Sequence, residues 1–307
     1  MSEPLFFSGM ILKEITKQSG YFNSKAIFSF DDGTAIIGLN SGKIISRTIL
    51  FLDYRKVMGK LSSGKLMELL QYVDEKCKDD VYIEIRNLND GKNYDQAFIM
   101  YGFQWLDWFN YKIELSAVNH QFEKIHATKR RQIKRSRERG VIVEEAQSAE
   151  EVTAFYNILH KVYVHRVRKP LPDKNFFLSF YEKTKGTEYG TILLAKRDGK
   201  VIAGMLCPID PYQEMYEWYV AGLDKEYKGK GIYPSVMITW GAIEYAINHQ
   251  IPVFNFMGAG EPGKPYGVRN FKMQFGGELI NSGRYLKINK PFLYHLGKTY
   301  FRLREIF

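Results

Sequence analysis

The chain has 307 residues, a net charge of +10 and 45% hydrophobic residues. This length and composition predict two folded domains with sizeable cores and exclude a disordered chain. Its two cysteines, Cys77 and Cys207, stand apart, and its six histidines have no carboxylates at ligand spacing, so neither a disulfide framework nor a metal site is expected. No signal peptide is evident, and no apolar run reaches the roughly 18 residues of a membrane span, so the expected location is the cytoplasm.

The first part of the chain predicts a small α/β domain. Two strands flank an Asp-Gly pair that is typical of a hairpin turn, and strands then alternate with helices. We place this domain at residues 1–118. Its predicted elements are strands at 26–30, 34–39 and 81–85, helices at 65–73 and 96–102, and an extended stretch at 105–115.

A strongly basic segment follows. Residues 124–139 contain eight Lys or Arg and one acidic residue. We predict a single connecting helix over 119–140, ended by Gly140. Such charge density indicates a polyanionic partner, either tRNA or a phosphorylated precursor, and the alternative is a solvated helix that only joins two domains. The residues assigned to the polyanion are Lys129, Arg130, Arg131, Lys134 and Arg135.

The remaining residues, 141–307, predict a mixed α/β domain. A capping box at 148–151 and an Asp cap at 173 start two helices, and an Asp-Gly pair at 198–199 joins two strands. The predicted order is a strand at 141–145, helices to about 164 and 183, strands at 190–196, 200–208 and 214–222, a helix from 234 to about 249, a strand at 253–256, a short helix and final strands.

Residues 252–279 carry the most specific motif. A short apolar strand runs into a glycine-rich loop that ends in Phe271-Lys272-x-x-Phe275-Gly276. With the element order before it, this segment resembles the second acyltransferase domain of the FemABX family, whose members build peptidoglycan cross-bridges. The resemblance covers residues 141–290 well and the first domain more weakly. It implies a mixed-sheet α/β fold with tandem GNAT-like domains, the second more complete. Members of the family often carry a coiled-coil arm, but this sequence has no sustained heptads, so we expect the compact form without an arm.

The resemblance also assigns catalytic roles. Acyl transfer to an amine needs a base, a polarised carbonyl and a stabilised oxyanion. Lys272 is assigned to the oxyanion, with little effect on folding expected when it is removed; the alternative is a solvated lysine on an ordinary loop. Side chains alternate along a strand, so Glu217 and Tyr219 should share one face. On this strand Glu217 would act as base through water and either Tyr219 or Tyr216 as proton donor, unless these tyrosines only pack in the sheet.

Four further residues are assigned to the substrate. Tyr266 and Arg269 lie on the glycine-rich loop, where Arg269 can neutralise a phosphate or carboxylate. Arg166 and Arg168 end the first helix of the second domain, where an anionic acceptor would enter. We therefore predict an anionic precursor as the acceptor substrate.

A second glycine-containing loop is the candidate donor site. Glu226-x-x-Gly229-x-Gly231 is similar to the Gln/Arg-x-x-Gly-x-Gly/Ala loop with which GNAT enzymes hold the pyrophosphate of acyl-CoA. The glutamate would repel a pyrophosphate, and Lys228 and Lys230 would offset it. The alternative is a flexible connection. Acyl-CoA or another acyl thioester is thus one candidate co-substrate, and the basic segment favours aminoacyl-tRNA as the other.

The sequence therefore predicts an N-acyl- or aminoacyl-transferase acting on an amine of a cell-envelope or sugar-nucleotide precursor, without a bound cofactor or metal. The alternative is a non-catalytic RNA- or membrane-surface-binding protein on a decayed GNAT scaffold. Aromatic and basic residues alternate over 290–307, which predicts a helix at the anionic inner membrane surface. Its alternative is a helix whose apolar face packs on the second domain. The residues concerned are Leu293, Leu296, Lys298, Tyr300, Arg302 and Arg304.

Overall fold

A computed structural model describes residues 6–7, 10–29, 35–52, 63–89 and 95–306. In chain order the first elements are α1 (Met10–Thr16), β1 (Asn23–Ser29), β2 (Ala35–Ser41), β3 (Arg47–Leu52), α2 (Ser63–Cys77), β4 (Tyr82–Asn87), α3 (Asp95–Met100), β5 (Gln104–Leu106), β6 (Phe109–Glu114), α4 (Val118–Lys124) and α5 (Ala127–Glu138). They are followed by β7 (Ile142–Glu145), α6 (Ala149–Val162), a π-helical turn (Tyr163–Val167), α7 (Lys174–Thr184), β8 (Gly190–Arg197), β9 (Lys200–Asp210), β10 (Glu214–Tyr216), β11 (Tyr219–Gly222), α8 (Pro234–Asn248), β12 (Val253–Gly260), α9 (Gly267–Met273), β13 (Glu278–Asn281), β14 (Arg284–Ile288) and α10 (Pro291–Ile306).

The chain forms two compact units whose boundaries differ from the predicted ones. The first unit comprises residues 1–110, 260–263 and 280–307, and the second comprises 111–259 and 264–279. The basic segment, expected as a connector over 119–140, is thus part of the second unit. The C-terminal segment, expected in a domain at 141–307, belongs to the first.

Strand pairing explains these boundaries. The first unit's sheet has the order β1-β2-β3-β4-β14-β5, so a strand from the C-terminal segment lies between two strands of residues 1–110. The second sheet has the order β13-β6-β12-β10-β9-β8-β7, with β11 paired to β9, so it includes a strand that precedes the basic segment. These pairings join residues far apart in the sequence, and local patterns do not reveal them.

The core of the first unit lies between its sheet and two helices. Leu69 and Leu70 of α2 are buried with Ile83 and Ile85 of β4. Phe98 of α3 stacks on Tyr285 of β14, with ring centroids 3.7 Å apart. The predicted hairpin is confirmed in its strands, since β1 and β2 pair antiparallel; its Asp-Gly turn lies outside the described residues.

Turns and caps of the second unit follow the predicted chemistry. Asp198 (φ 51) and Gly199 (φ 72) both have the left-handed conformation of a two-residue hairpin turn. Ser148 accepts a hydrogen bond from the Glu151 amide at 3.3 Å and so caps α6. Asp173 caps α7 in the same way, through the Phe176 amide at 3.4 Å. These local signals place the helices and strands correctly.

The basic segment is not the single helix predicted. It forms α4 and α5, separated by an extended Ile125 (φ −72, ψ 141). Ile125 is buried, and His126 then caps α5 by accepting from the Thr128 amide. Burial of this isoleucine outweighs the helix propensity of the charged residues around it. The predicted end at Gly140, which has φ 77, is confirmed.

Candidate functional site

The site begins where the second sheet opens. β10 pairs in parallel with β12 up to Tyr216 and Asn255. Beyond that point β11 pairs with β9, and its register against β9 has shifted by one residue, from Met215↔Ile209 to Tyr219↔Leu206. The extra residue forms a β-bulge at positions 217–218. After the bulge, β11 pairs with β9 and lies outside the strand order in which β10 neighbours β12. The carboxyl end of β12 is therefore available to other groups.

Lys272 and Glu217 meet at this opening. The Lys272 Nζ lies 3.3 Å from Glu217 Oε1. It also donates to the main-chain oxygens of Phe256 at 2.5 Å and Gly258 at 3.0 Å. The two residues are only 5% and 8% exposed, and an ammonium has three N–H donors. Lys272 is therefore a buried cation with every donor directed at a protein oxygen.

The local backbone explains why two carbonyls reach one ammonium. Between them, Met257 has a left-handed conformation, with φ 55. Its amide donates to Asn255 Oδ1 at 2.7 Å, which holds the kink in β12. The ring contact between Phe271 and Phe275, with centroids 5.2 Å apart, flanks Lys272 on α9. The Phe-Lys-x-x-Phe motif thus anchors the helix that carries the lysine.

Burial tunes the titration of the groups at the opening. Burial raises the pKa of Glu217, and the charge of Lys272 partly opposes that rise. A carboxyl whose pKa is raised accepts a proton more readily than an ordinary one, as a general base requires. Burial, and then the Glu217 charge, raise the pKa of the Cys207 thiol well above its ordinary value. Cys207 is therefore a neutral thiol and not an activated nucleophile.

Tyr219 is placed differently from the prediction. Its ring contacts Phe177 and Phe176 of α7, with centroids 5.3 and 6.3 Å apart. Its neighbour Trp218 also contacts Phe176, at 5.5 Å. Adjacent residues thus both face α7, because the bulge interrupts the alternation of side chains. The prediction that Glu217 shares a face with Tyr219 is wrong for this reason.

The four substrate residues fall into two groups. Tyr266 and Arg269 lie at α9, the helix that carries Lys272, and Arg269 donates to the Ala259 oxygen at 2.8 Å and the Lys264 oxygen at 3.3 Å. Tyr266 is exposed. Arg166 lies in the π-helical turn and Arg168, with φ 54, ends it. The structure therefore brings Tyr266 and Arg269 to the lysine's helix and places Arg166 and Arg168 on a separate segment.

The predicted donor loop joins β11 to α8. Lys228, Gly229 and Lys230 are exposed, and Gly229 (φ 80) and Gly231 (φ 72) have left-handed conformations. The Glu226 carboxylate, expected to repel a pyrophosphate, pairs with Lys161 Nζ at 2.6 Å. That pairing reduces the expected repulsion.

A carboxylate at the start of α8 was missed by sequence reasoning. Asp224 accepts hydrogen bonds from the Ser235 amide at 3.1 Å and from the Ser235 hydroxyl. It therefore occupies an amide of the first helical turn that would otherwise be free for an anion. Asp224 lies eleven residues before Ser235, so no local capping pattern signals the contact.

The basic helix α5 presents two faces. Arg131, Lys134 and Arg135 are exposed and lie three and four residues apart, which places them on one face. Lys129 is buried, with its Nζ 4.5 Å from the centre of the Phe271 ring, and burial lowers its pKa. Arg130 donates to the Glu123 oxygen at 3.2 Å. Of the five residues assigned to the polyanion, Arg131, Lys134 and Arg135 are thus the ones exposed to it.

Sequence and structure comparisons agree with this geometry. Residues 123–272 match the family described as acetyltransferase (GNAT) domain. The matched residues, just under half of the chain, resemble an acetyltransferase (GNAT) domain. The prediction of an acyltransferase is confirmed. No curated protein sequence matches the chain.

Solved structures extend the likeness to both units. A crystal structure of FemX has a TM-score of 0.65 at 14% identity and covers 94% of each chain. The C-terminal domain of a putative lysylphosphatidylglycerol synthetase from Agrobacterium fabrum has a TM-score of 0.61 at 13% identity, over 94% of this chain and 90% of that one. L-PGS from Bacillus licheniformis has a TM-score of 0.59 at 12% identity and covers 94% of each chain. These identities show the fold alone, and the predicted FemABX-like, tandem GNAT fold is confirmed.

Replacing Lys272 with alanine tests its role. We expect turnover to fall by about 10²-fold or more, as when an oxyanion donor is lost. The expectation that folding would be nearly unaffected needs correction, because Glu217 would be left buried without its partner. Such a loss costs about 3–5 kcal/mol. Turnover per folded molecule and urea unfolding should be measured beside Lys183→Ala, an exposed lysine on α7. Unchanged turnover in Lys272→Ala would contradict the catalytic role.

The raised pKa of Glu217 predicts a pH-dependent stability. Its ordinary pKa is 4.5, and burial raises it in the folded protein. Between these two values the folded state holds the proton more tightly than the unfolded chain, so stability falls as pH rises through the folded-state pKa. Glu217→Gln removes this dependence. Urea unfolding of both proteins from about pH 4 to about pH 8 should show wild-type stability declining relative to the variant. Parallel profiles would rule out a raised pKa.

Proposed function

We propose that this acyltransferase moves an acyl or aminoacyl group onto an amine of an anionic cell-envelope or sugar-nucleotide precursor. The observation that carries the proposal is the buried pair of Lys272 and Glu217 at the opening of the GNAT sheet. It combines a cation and a carboxyl of raised pKa within hydrogen-bonding reach. Those are the two groups that transfer to an amine requires from the protein.

The proposed reaction assigns one step to each group. Glu217, through a water molecule, takes a proton from the acceptor ammonium, and the free amine then attacks the carbonyl carbon of the donor. The positive charge of Lys272 stabilises the oxyanion that forms, with one N–H turning from a main-chain carbonyl towards it. The carbon–oxygen or carbon–sulfur bond then breaks, and the attacking nitrogen loses its extra proton to water as the amide forms. For an ester donor, water delivers a proton to the leaving oxygen; Tyr219 faces α7 and is not assigned to this step.

Two donors are supported by different parts of the second unit. The loop at 228–231 is exposed at residues 228–230, has left-handed glycines and carries two lysines, which suits the pyrophosphate of acyl-CoA. The exposed cations of α5 suit the phosphates of an aminoacyl-tRNA. Asp224 at the start of α8 disfavours a pyrophosphate at that helix, so the balance of charge supports aminoacyl-tRNA. One structural neighbour, named a putative lysylphosphatidylglycerol synthetase, supports an envelope acceptor.

Labelled donors test the proposal directly. The purified chain is incubated with radiolabelled acetyl-CoA and, separately, with tRNA charged with labelled amino acids, first for binding and then with an amine-bearing sugar nucleotide as acceptor. We expect charged tRNA to bind and to give a labelled acceptor, and the Lys272→Ala variant to bind the donor without transferring it. Transfer from acetyl-CoA alone would reassign the donor. Binding without transfer from either donor would refute the proposed acceptor class.

The exposed face of α5 predicts a salt-dependent interaction with tRNA. Reversing the charge of Arg131 and Lys134 should weaken binding and reduce the salt dependence by about two counterions, roughly one for each lost phosphate contact. Affinity is measured as a function of salt concentration. Lys174→Glu with Lys183→Glu, two exposed lysines on α7, gives the same change in net charge as a control. Equal effects of both double variants would show that only net charge matters.

The C-terminal helix α10 has an exposed apolar stripe. Phe292 is 80% exposed, and Leu296 and Tyr300 are exposed at the same helical spacing. The opposite side contacts the first unit, through Tyr294 with Tyr82 at 5.3 Å and through Gly297 beside Ile45. The helix therefore belongs to the first unit, and the alternative of packing on the second domain is wrong. Leu293 is half-buried, and side chains from residue 301 onward lie outside the described residues.

We propose that this stripe rests on an anionic membrane surface. Among the described residues, no helix is long and apolar enough to cross a membrane, and an interfacial helix needs only one apolar face. Phe292→Asp with Leu296→Asp should reduce co-sedimentation with liposomes containing phosphatidylglycerol. Ile142→Asp, which changes an exposed residue of β7, should have no effect. Point variants are preferable to deletion, since removing the helix also uncovers its contacts with the first unit. Wild-type protein that stays in the supernatant would rule out the membrane role.

A further inference from the structure

One face of the first unit's sheet carries an unusual group of charges. Arg47 lies on β3, Glu84 and Arg86 on β4, and Arg284 on β14. In the strand register Arg284 is directly opposite Arg86, and like charges in that position repel each other. Glu84 and Arg86 are two residues apart and so share a face. We call these four residues the arginine cluster.

A single carboxylate holds two of the arginines. Glu84 accepts from Arg284 Nη1 at 2.5 Å and from Arg86 Nη2 at 3.0 Å. Burial on its own would raise the pKa of Glu84, but Arg86 and Arg284 outweigh it and lower that pKa to about 2. Glu84 is therefore ionised throughout the physiological range. Its one negative charge faces two guanidinium groups.

Arg47, the third arginine, has neutral partners. Its guanidinium donates to Ser41 Oγ at 3.3 Å, to the Tyr82 hydroxyl at 3.2 Å and to the Tyr21 hydroxyl at 3.5 Å. The arginine cluster thus contains three cations and one anion, an excess of two positive charges. Partly buried charge without a counter-charge destabilises a fold. Burial and the neighbouring arginines lower the pKa of Arg284 to about 10, although Glu84 opposes them. Burial alone would lower the pKa of Arg47, but Tyr82, Tyr21 and Glu84 outweigh burial and raise that pKa.

Two hydrogen-bond donors at the cluster have no acceptor. In the part of the chain that the structure describes, Arg86 Nε and the indole Nε1 of Trp108 are buried without a partner. The Trp108 ring lies under the Arg284 guanidinium, with 3.6 Å from its centre to Cζ. The Arg86 side chain is 28% exposed, so solvent reaches the cluster. Buried donors in native proteins nearly always have a hydrogen-bond partner. An acceptor that enters from solvent would supply the missing partner for both Arg86 Nε and Trp108 Nε1.

We propose that the arginine cluster, with Trp108, is a binding site for a dianionic phosphate or pyrophosphate group. Guanidinium groups bind phosphoryl oxygens in pairs. One dianion cancels the excess of two charges, which a single carboxylate would not. Its oxygens also accept from Arg86 Nε and Trp108 Nε1. The site lies in the first unit and does not depend on the proposed transferase chemistry.

Anion-dependent stability tests the site. Thermal unfolding is followed against inorganic pyrophosphate and inorganic phosphate, at ionic strength held constant with sodium chloride. We expect a saturable rise in Tm with wild type and an affinity at least about tenfold lower in Arg86→Gln, the loss of one charged contact. Lys174→Gln with Lys183→Gln, which neutralises two exposed lysines of α7 instead, should leave the affinity unchanged. No saturable rise in wild type would overturn the proposal, as would a rise that survives Arg86→Gln or disappears only in the α7 variant.

A second variant covers the case in which Arg86→Gln does not fold. Trp108→Phe replaces the indole that lies beneath Arg284 with a smaller aromatic ring and removes an N–H that has no acceptor in the described protein. A purely structural cluster therefore loses no hydrogen bond in Trp108→Phe. We expect this variant to fold and to bind pyrophosphate several-fold more weakly, since it loses one hydrogen bond to the ligand. If folded Trp108→Phe binds pyrophosphate with unchanged affinity, the indole has no role in binding. If Arg86→Gln is also unfolded, that same result overturns the site itself.

Discussion

The site depends on a buried ammonium at the opening of the second sheet. Lys272 donates to the oxygens of Phe256 and Gly258 and lies beside Glu217. Without it, a strand end and a carboxylate would both be buried without a donor. The same charge that stabilises this opening is the one assigned to the oxyanion. The structural role of this side chain and its proposed catalytic role thus coincide, and the rigidity of its surroundings would fix the position of the charge before substrate arrives.

Much of the fold was predictable from local sequence signals. The cap at Ser148, the hairpin turn at Asp198 and the helix stop at Gly140 each depend on contacts within a few residues, and all three are confirmed. Lys272 was predictable because its motif is contiguous. The order of elements along the second half of the chain was equally readable, since hydrophobic periodicity and turn residues are properties of neighbouring positions.

Contacts between distant residues were not predictable. The bulge after Tyr216 arises from register against β9, and it decides that Tyr219 faces α7 instead of sharing a face with Glu217. Asp224 binds the start of α8 across a loop, and the break at Ile125 results from burial in the tertiary fold. The arginine cluster requires β14 to lie beside β4, a pairing across almost two hundred residues. Each of these features is set by packing that no short pattern records.

The position of β14 has a consequence for how the chain becomes folded. Its residues, Arg284–Ile288, hydrogen-bond to β4 on one side and to β5 on the other. During synthesis β4 and β5 therefore emerge long before the strand that separates them, and their facing edges remain unpaired until residues 284–288 have been made. Exposed strand edges favour association with other chains, and pairings of high sequence separation form slowly. A nascent first unit should accordingly depend on protection until its last strand is inserted.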